Sequence, residues 1–249
     1  ISAAHNIRMH LTGYSGLRPL PPAGDAGRLG LAIHQRTLEA FMQRKRVGIV
    51  IYEEVEVLDF SGPFEVFSVT RLNEEKRRDE QSPFLPLLIA ESSSVVTATG
   101  GMLVLPHHSL SECPPLDIVV VPGGWGFRHH MKNVALHQWL RSRAALAETV
   151  TAVCTGSLLL SSAGLLDGLQ ATTHWRFLDT MRDSFPTISV KYDKHFVQDG
   201  RVFTSAGISA GIDMSLKVVE QYFGEIVARA TARHMEYPYP DADNRRIQL

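Results

Sequence analysis

Short apolar runs that do not alternate with polar residues constrain this chain most. Residues 47–52 read VGIVIY, 116–124 read LDIVVVPGG and 150–154 read VTAVC. A strand wetted on one face alternates apolar and polar positions, whereas these runs predict strands buried on both faces. FLPLLIAES and SVVTAT read as further strands. Between them lie segments with apolar residues at helical spacing: GPFEVFSVTRLNEE after Ser61, VALHQWLRSRAALAE from Val134, and TGSLLLSSAGLL from Thr155, closed by glycine. SVKYDKHFVQDG and RVFTSAG read as a hairpin pair around Asp199-Gly200, followed by a helical tail, GISAGIDMSLKVVEQYFG and EIVARATARHMEY. Apolar strands alternating with helices predict an α/β fold with a mostly parallel sheet flanked by helices on both faces.

Composition narrows the partners. Of 249 residues, 44% are hydrophobic and 20% charged, with a net charge of -1, so nothing marks a nucleic-acid or membrane surface. No run approaches the roughly 18 apolar residues of a membrane span. Two cysteines, Cys113 and Cys154, cannot form a disulfide framework. The expectation is a soluble single domain in a reducing, cytoplasmic compartment, with no nucleic-acid or membrane partner. Residues 1–41 are rich in Gly, Pro and small polar residues and lack the continuous apolar core of a signal peptide, although LAIHQRTLEAF reads as a short helix. They are expected to be an amino-terminal extension or upstream read-through, with the domain over 42–249.

In a parallel sheet, ligands bind beyond the carboxyl ends of the strands. Three such ends carry unusual chemistry here. Cys154 stands where VTAV breaks into Thr155-Gly156 and a helix, the second half of a nucleophile elbow, with Ala152 in place of the first glycine. A thiol there feels the positive helix end, which favours thiolate below the usual pKa of about 8.5 and exposes it to sulfenic or sulfinic oxidation. The following N–H can hold a developing charge. The other local reading is a small apolar side chain filling a crowded corner, since free cysteines are among the most buried residues.

Asp59, flanked by Leu58 and Phe60, is a carboxylate that would be costly to desolvate alone. It reads as a helix cap, a task for which Ser61 competes, or as a carboxyl of raised pKa that exchanges a proton with the cysteine or substrate. Glu65, four residues on, reads as a pairing or capping residue or as a member of the site. Gly123-Gly124 is an oxyanion element, a tight turn, or both. Trp125, Phe127 and Trp175 are candidate pocket walls or plain core, and His174 is the histidine to watch. His129 and His130 read as solvated and Cys113 as inert. The glycine doublets lack phosphate-loop or dinucleotide spacing and no Cys/His set has zinc spacing, so neither a nucleotide cofactor nor a metal is expected.

Four segments in order, LDFSGPFEVF, DIVVVPGG, AVCTGSLLLSSAGLLDGLQATTHW and TSAGISAGIDMSL, resemble the ThiJ/PfpI superfamily. Within it the resemblance is greatest to the isonitrile hydratase group and the amino-terminal domains of some AraC-type regulators, and it covers residues 46–239. It implies a flavodoxin-like sheet of the class I glutamine amidotransferase type. It also implies that the nucleophile falls on Cys154, its acidic partner on Asp59 (glutamate in other branches), the following hydroxyl on Thr155 and the oxyanion glycine on Gly124. Protease-like members carry a histidine directly after the cysteine; Thr155 here disfavours peptide hydrolysis through a Cys-His pair.

The activity thus implied is hydration of an isonitrile to an N-substituted formamide, a lyase reaction needing no metal or organic cofactor. Two alternatives stand beside it: glyoxalase- or deglycase-like chemistry on α-oxoaldehydes, and a ligand- or redox-sensing domain related to AraC-type regulators. Against the regulator, nothing after the domain is long enough for a helix-turn-helix module, a point that the full-length gene decides. The partners implied are a small-molecule substrate and a second copy of the chain, a homodimer formed through the carboxyl-terminal helices and the loop after the first strand.

Overall fold

The computed structural model describes residues 44–242. The expectations for residues 1–41, and for a domain start at Met42, lie outside them. The chain runs through β1 (Lys45–Val50), α1 (Val57–Val69), β2 (Phe84–Ala90), β3 (Val96–Thr97), β4 (Leu103–Val104) and β5 (His108–Ser109). It continues with β6 (Ile118–Val121), α2 (Phe127–His130), α3 (Val134–Leu146), β7 (Thr149–Val153) and α4 (Gly156–Ser162). Then follow β8 (Gln170–Ala171), α5 (Leu178–Ser184), β9 (Ser189–Val190), β10 (Phe196–Asp199), β11 (Val202–Ser205), α6 (Ala210–Phe223) and α7 (Glu225–His234).

Seven strands form the central sheet in the order β10-β11-β7-β6-β1-β2-β5. All neighbours are parallel except the β10–β11 hairpin. Every residue of β6 and β7 is buried, as are the last four of β1, because helices cover both faces. Helices α1, α6 and α7 pack together as one layer, and α2, α3 and α4 form the other. Among the described residues no helix is long and apolar enough to cross a membrane.

Several boundaries differ from the sequence reading. Ser61-Gly62-Pro63 has the cap-then-proline form of a helix start, yet α1 begins at Val57 and carries Pro63 inside it. Burial of Phe60 with Val66 and Phe67 draws the helix back by a turn, so Asp59 sits in its first turn rather than capping it. SVVTAT contributes only β3, paired antiparallel to β4 outside the central sheet. SVKYDKHFVQDG splits into β9, which pairs with β8, and β10, which forms the expected hairpin with β11. The short edge strand β5, the single turn α2 and helix α5 have no counterpart in the sequence reading, being too short to show a period.

Candidate active site

The strand order reverses beside β1: the chain moves outward to β2 and β5, then returns to β6 on the other side. At such a switch point the loops after adjacent strands diverge and leave a crevice. The residues after β1, β6, β7 and β11 meet there. Glu56 donates its N–H to the Gly123 carbonyl at 2.9 Å, and Val55 bridges Gly124, tying the first two loops together. The Tyr52 hydroxyl donates to the Pro122 carbonyl at 2.8 Å from beneath.

Cys154 follows β7 with φ of 57°, a left-handed conformation that costs a non-glycine residue about 1–3 kcal/mol. Neighbouring elements hold it there. Its N–H donates to the Ser205 and Ala206 carbonyls at 3.2 and 3.3 Å, and its carbonyl accepts from Ser157 Oγ and Thr173 Oγ1, each at 2.9 Å. Gly156 is required next in line, since an added Cβ would run into the Val121 carbonyl oxygen. The strand–cysteine–helix joint is therefore a sharp elbow that turns the thiol away from the sheet.

Asp59 is fully buried. Its Oδ2 accepts the Gly123 N–H at 2.9 Å, while Oδ1 has no hydrogen-bond partner of ordinary geometry. The Cys154 thiol and the Ile208 N–H face the same carboxyl, and the N–H groups of Thr155 and Ile208 face the sulfur. Burial dominates the acid–base behaviour. It pushes Asp59 up to about 8, helped by Glu56 and opposed by the Gly123 N–H and the thiol. It also lifts the Cys154 thiol above its usual range, reinforced by the negative charge of Asp59 and offset only in part by the Thr155 N–H. The expectation of a lowered thiol pKa is thus corrected: desolvation and the neighbouring Asp59 outweigh the Thr155 and Ile208 N–H groups that favour the thiolate. Cysteine and aspartate form a pair that sheds its protons reluctantly.

Gly123 and Gly124 are in place but differently engaged than expected. The Gly123 N–H is taken by Asp59, and the Gly124 N–H donates to Thr155 Oγ1 at 3.1 Å. The N–H groups aimed at the sulfur are those of Thr155 and Ile208. Ile208, at φ 58°, has no motif signal, and the sequence reading missed it. A cavity of about 270 Å³ opens over the thiol. Glu56, Gly124, Cys154, Thr155, Arg176 and Ile208 line it, and Trp125, Phe127, His174, Trp175 and Phe177 form its aromatic wall. Trp125, Phe127, Trp175 and His174 were candidates from the sequence, whereas Arg176 and Phe177, beside them in the segment THWRF, were not singled out. His174 caps the short turn Trp175–Phe177, its ring accepting the Arg176 N–H at 3.3 Å.

The remaining candidates lie elsewhere. Glu65 is exposed on α1 and does not line the cavity. His129 is exposed, but His130 is half-buried with its ring 4.7 Å from that of Tyr52, which corrects its reading as solvated. Cys113 is buried, and burial raises its thiol pKa, which is consistent with inertness. Among the described residues no group of three or more His, Cys, Asp or Glu is arranged to hold a metal.

A parallel sheet with a cysteine at a strand–helix elbow, beside a buried carboxyl, defines an α/β protein of the ThiJ/PfpI type. The chain belongs to the DJ-1/PfpI family, whose sequence pattern matches residues 45–221. It is 35% identical to isonitrile hydratase from Pseudomonas putida over 80% of this chain and 82% of that protein. It is 31% identical to the HTH-type transcriptional regulator GbdR from Pseudomonas aeruginosa, of which it spans only 42%. Among solved structures, a ThiJ/PfpI family protein from Pseudomonas syringae superposes with a TM-score of 0.70 at 26% identity, covering 91% of this chain and 85% of that one.

Proposed function

We propose that the protein is a cofactor-independent cysteine hydratase that converts an isonitrile, R–N≡C, to the formamide R–NH–CHO. The observation that carries this reading is the likeness to isonitrile hydratase over four-fifths of both chains. The pairing of Cys154 with a carboxyl that holds its proton near neutrality supports it. The reaction needs a nucleophile for the terminal carbon and an acid to protonate that same carbon.

The reactive form of the pair carries one proton, as Cys154 thiolate and Asp59 acid. Sulfur attacks the terminal carbon while Asp59 delivers its proton there, giving the thioimidate R–N=CH–S–Cys and leaving a carboxylate. That carboxylate takes a proton from water as the oxygen adds to carbon, and returns it to nitrogen. Collapse of R–NH–CH(OH)–S–Cys breaks the C–S bond, passes the hydroxyl proton to Asp59 and restores the thiolate. The N–H groups of Thr155 and Ile208 hold sulfur while it is charged. Cys154→Ala is expected to lower turnover of cyclohexyl isocyanide at least about a thousandfold. Full activity in that variant, or turnover of methylglyoxal in place of the isocyanide by the native protein, sinks the assignment.

A sensing domain of a regulator is the second reading, favoured by the likeness to GbdR. It predicts ligand binding in the same cavity without turnover, and single-turnover assays with stoichiometric isocyanide separate the two.

A further inference from the structure

We propose that the cavity mouth grips an anionic group on the substrate, so that the preferred isonitrile carries a carboxylate on a planar apolar body. The isonitrile end of this statement rests on the hydratase reading; the anion end does not.

Trp125 and Trp175 are 53% and 49% exposed at the cavity, aromatic area that a plain core wall would bury. Each has a guanidinium on its face. Arg176 lies 4.8 Å from the Trp175 ring centre. Arg128 lies 4.8 Å from those of Trp125 and Phe127 and 5.5 Å from that of Phe177, all three being cavity walls. Elsewhere Arg77, Arg182 and Arg229 hold carboxylates of the chain. Among the described residues, neither Arg128 nor Arg176 has an acceptor for its guanidinium N–H groups. A guanidinium stacked on a ring keeps its N–H fork in plane and loses little further freedom on meeting a carboxylate. Two such forks on one aromatic rim, both unspent, are arranged for an anion. Glu56 lines the same cavity and acts on Asp59, so like charge keeps a carboxylate away from the thiol. The sign asymmetry orients the ligand: anion at the arginines, reacting carbon at Cys154.

The test compares phenyl isonitriles bearing para carboxylate, methyl or trimethylammonium groups. The expected order of kcat/KM is carboxylate, methyl, trimethylammonium, with carboxylate ahead of methyl by about tenfold. The double variant Arg128→Gln/Arg176→Gln should bring that ratio close to one, and added salt should narrow it. A second arm follows binding of 4-formamidobenzoate and 4-methylformanilide to the Cys154→Ala protein by tryptophan fluorescence. Preference for the benzoate that is lost when Arg128→Gln/Arg176→Gln is added to Cys154→Ala, with no isonitrile turned over by the native protein, removes the hydratase reading and keeps the anion site. Turnover without charge preference, preference for the cation, or equal binding of the two formamides shows the arginines to be merely solvated and overturns the inference.

Discussion

At the scale of single residues, burial decides more than polarity does. Asp59 is raised from its ordinary 3.8 to about 8 chiefly by desolvation, which makes it both a proton reserve and a liability. Its folded pKa lies above its unfolded one, so stability is greatest below pH 4 for this group and is lost as pH rises toward the folded value. A shift of this size corresponds to roughly 6 kcal/mol across that window. Asp59→Asn keeps an acceptor for Gly123 and cannot ionise. Its denaturation midpoint is expected to exceed that of the native protein increasingly as pH rises, and equal differences at pH 5 and pH 8.5 would refute the buried, neutral carboxyl. On the hydratase reading the same pair would set the pH profile: since one proton must leave before sulfur can attack, kcat/KM should climb through a limb near 8. A flat profile across that range contradicts the pairing of Cys154 with Asp59.

At the scale of elements, the sequence disclosed what periodicity and turn chemistry can encode. The runs VGIVIY, DIVVV and VTAV are unbroken in hydrophobicity because both sheet faces are covered, and each is a strand as expected. The elbow was legible because only Gly156 fits under Val121. Replacing it with alanine forces backbone against backbone, so Gly156→Ala is expected to destabilise by more than about 3 kcal/mol, or to abolish folded protein, measured by chemical denaturation. A native-like midpoint would show that the elbow can relax. What was not legible is what long-range packing sets. Nothing local announces that Thr155 Oγ1 captures the Gly124 N–H, or that Ile208 turns its own toward the sulfur across the β7–β11 pairing. The start of α1 was misread because Ser61-Gly62-Pro63 offers a good local cap, which burial of Phe60 overrides. Thiol acidity was misjudged for a related reason, since a helix end is visible in sequence and the depth of a cavity is not.

At the scale of the whole molecule, several aliphatic side chains stand in solvent. Ile226 on α7 is 86% exposed, and Leu103 and Leu105, at and just after β4, are 70% and 66% exposed. Such surface on the carboxyl-terminal helix and the small ladder fits an interface between copies of the chain. Light scattering at micromolar concentration is expected to give the mass of two chains, and Ile226→Glu with Leu103→Glu to give that of one; a monomeric native protein would contradict this. The hydrogen bonds that fix Cys154 arrive from Ser157, Thr173, Ser205 and Ala206, so the conformation of one residue depends on α4, the segment after β8 and the end of β11 being in place. Before those segments meet, the thiol is an ordinary one, ionising near its unperturbed pKa of about 8.5. Once they have met, burial holds it protonated to higher pH. Peroxides attack the thiolate, so the nascent chain is the softer target for oxidative damage and the finished fold the harder one. Completing the structure both sets the cysteine in its elbow and shelters its thiol.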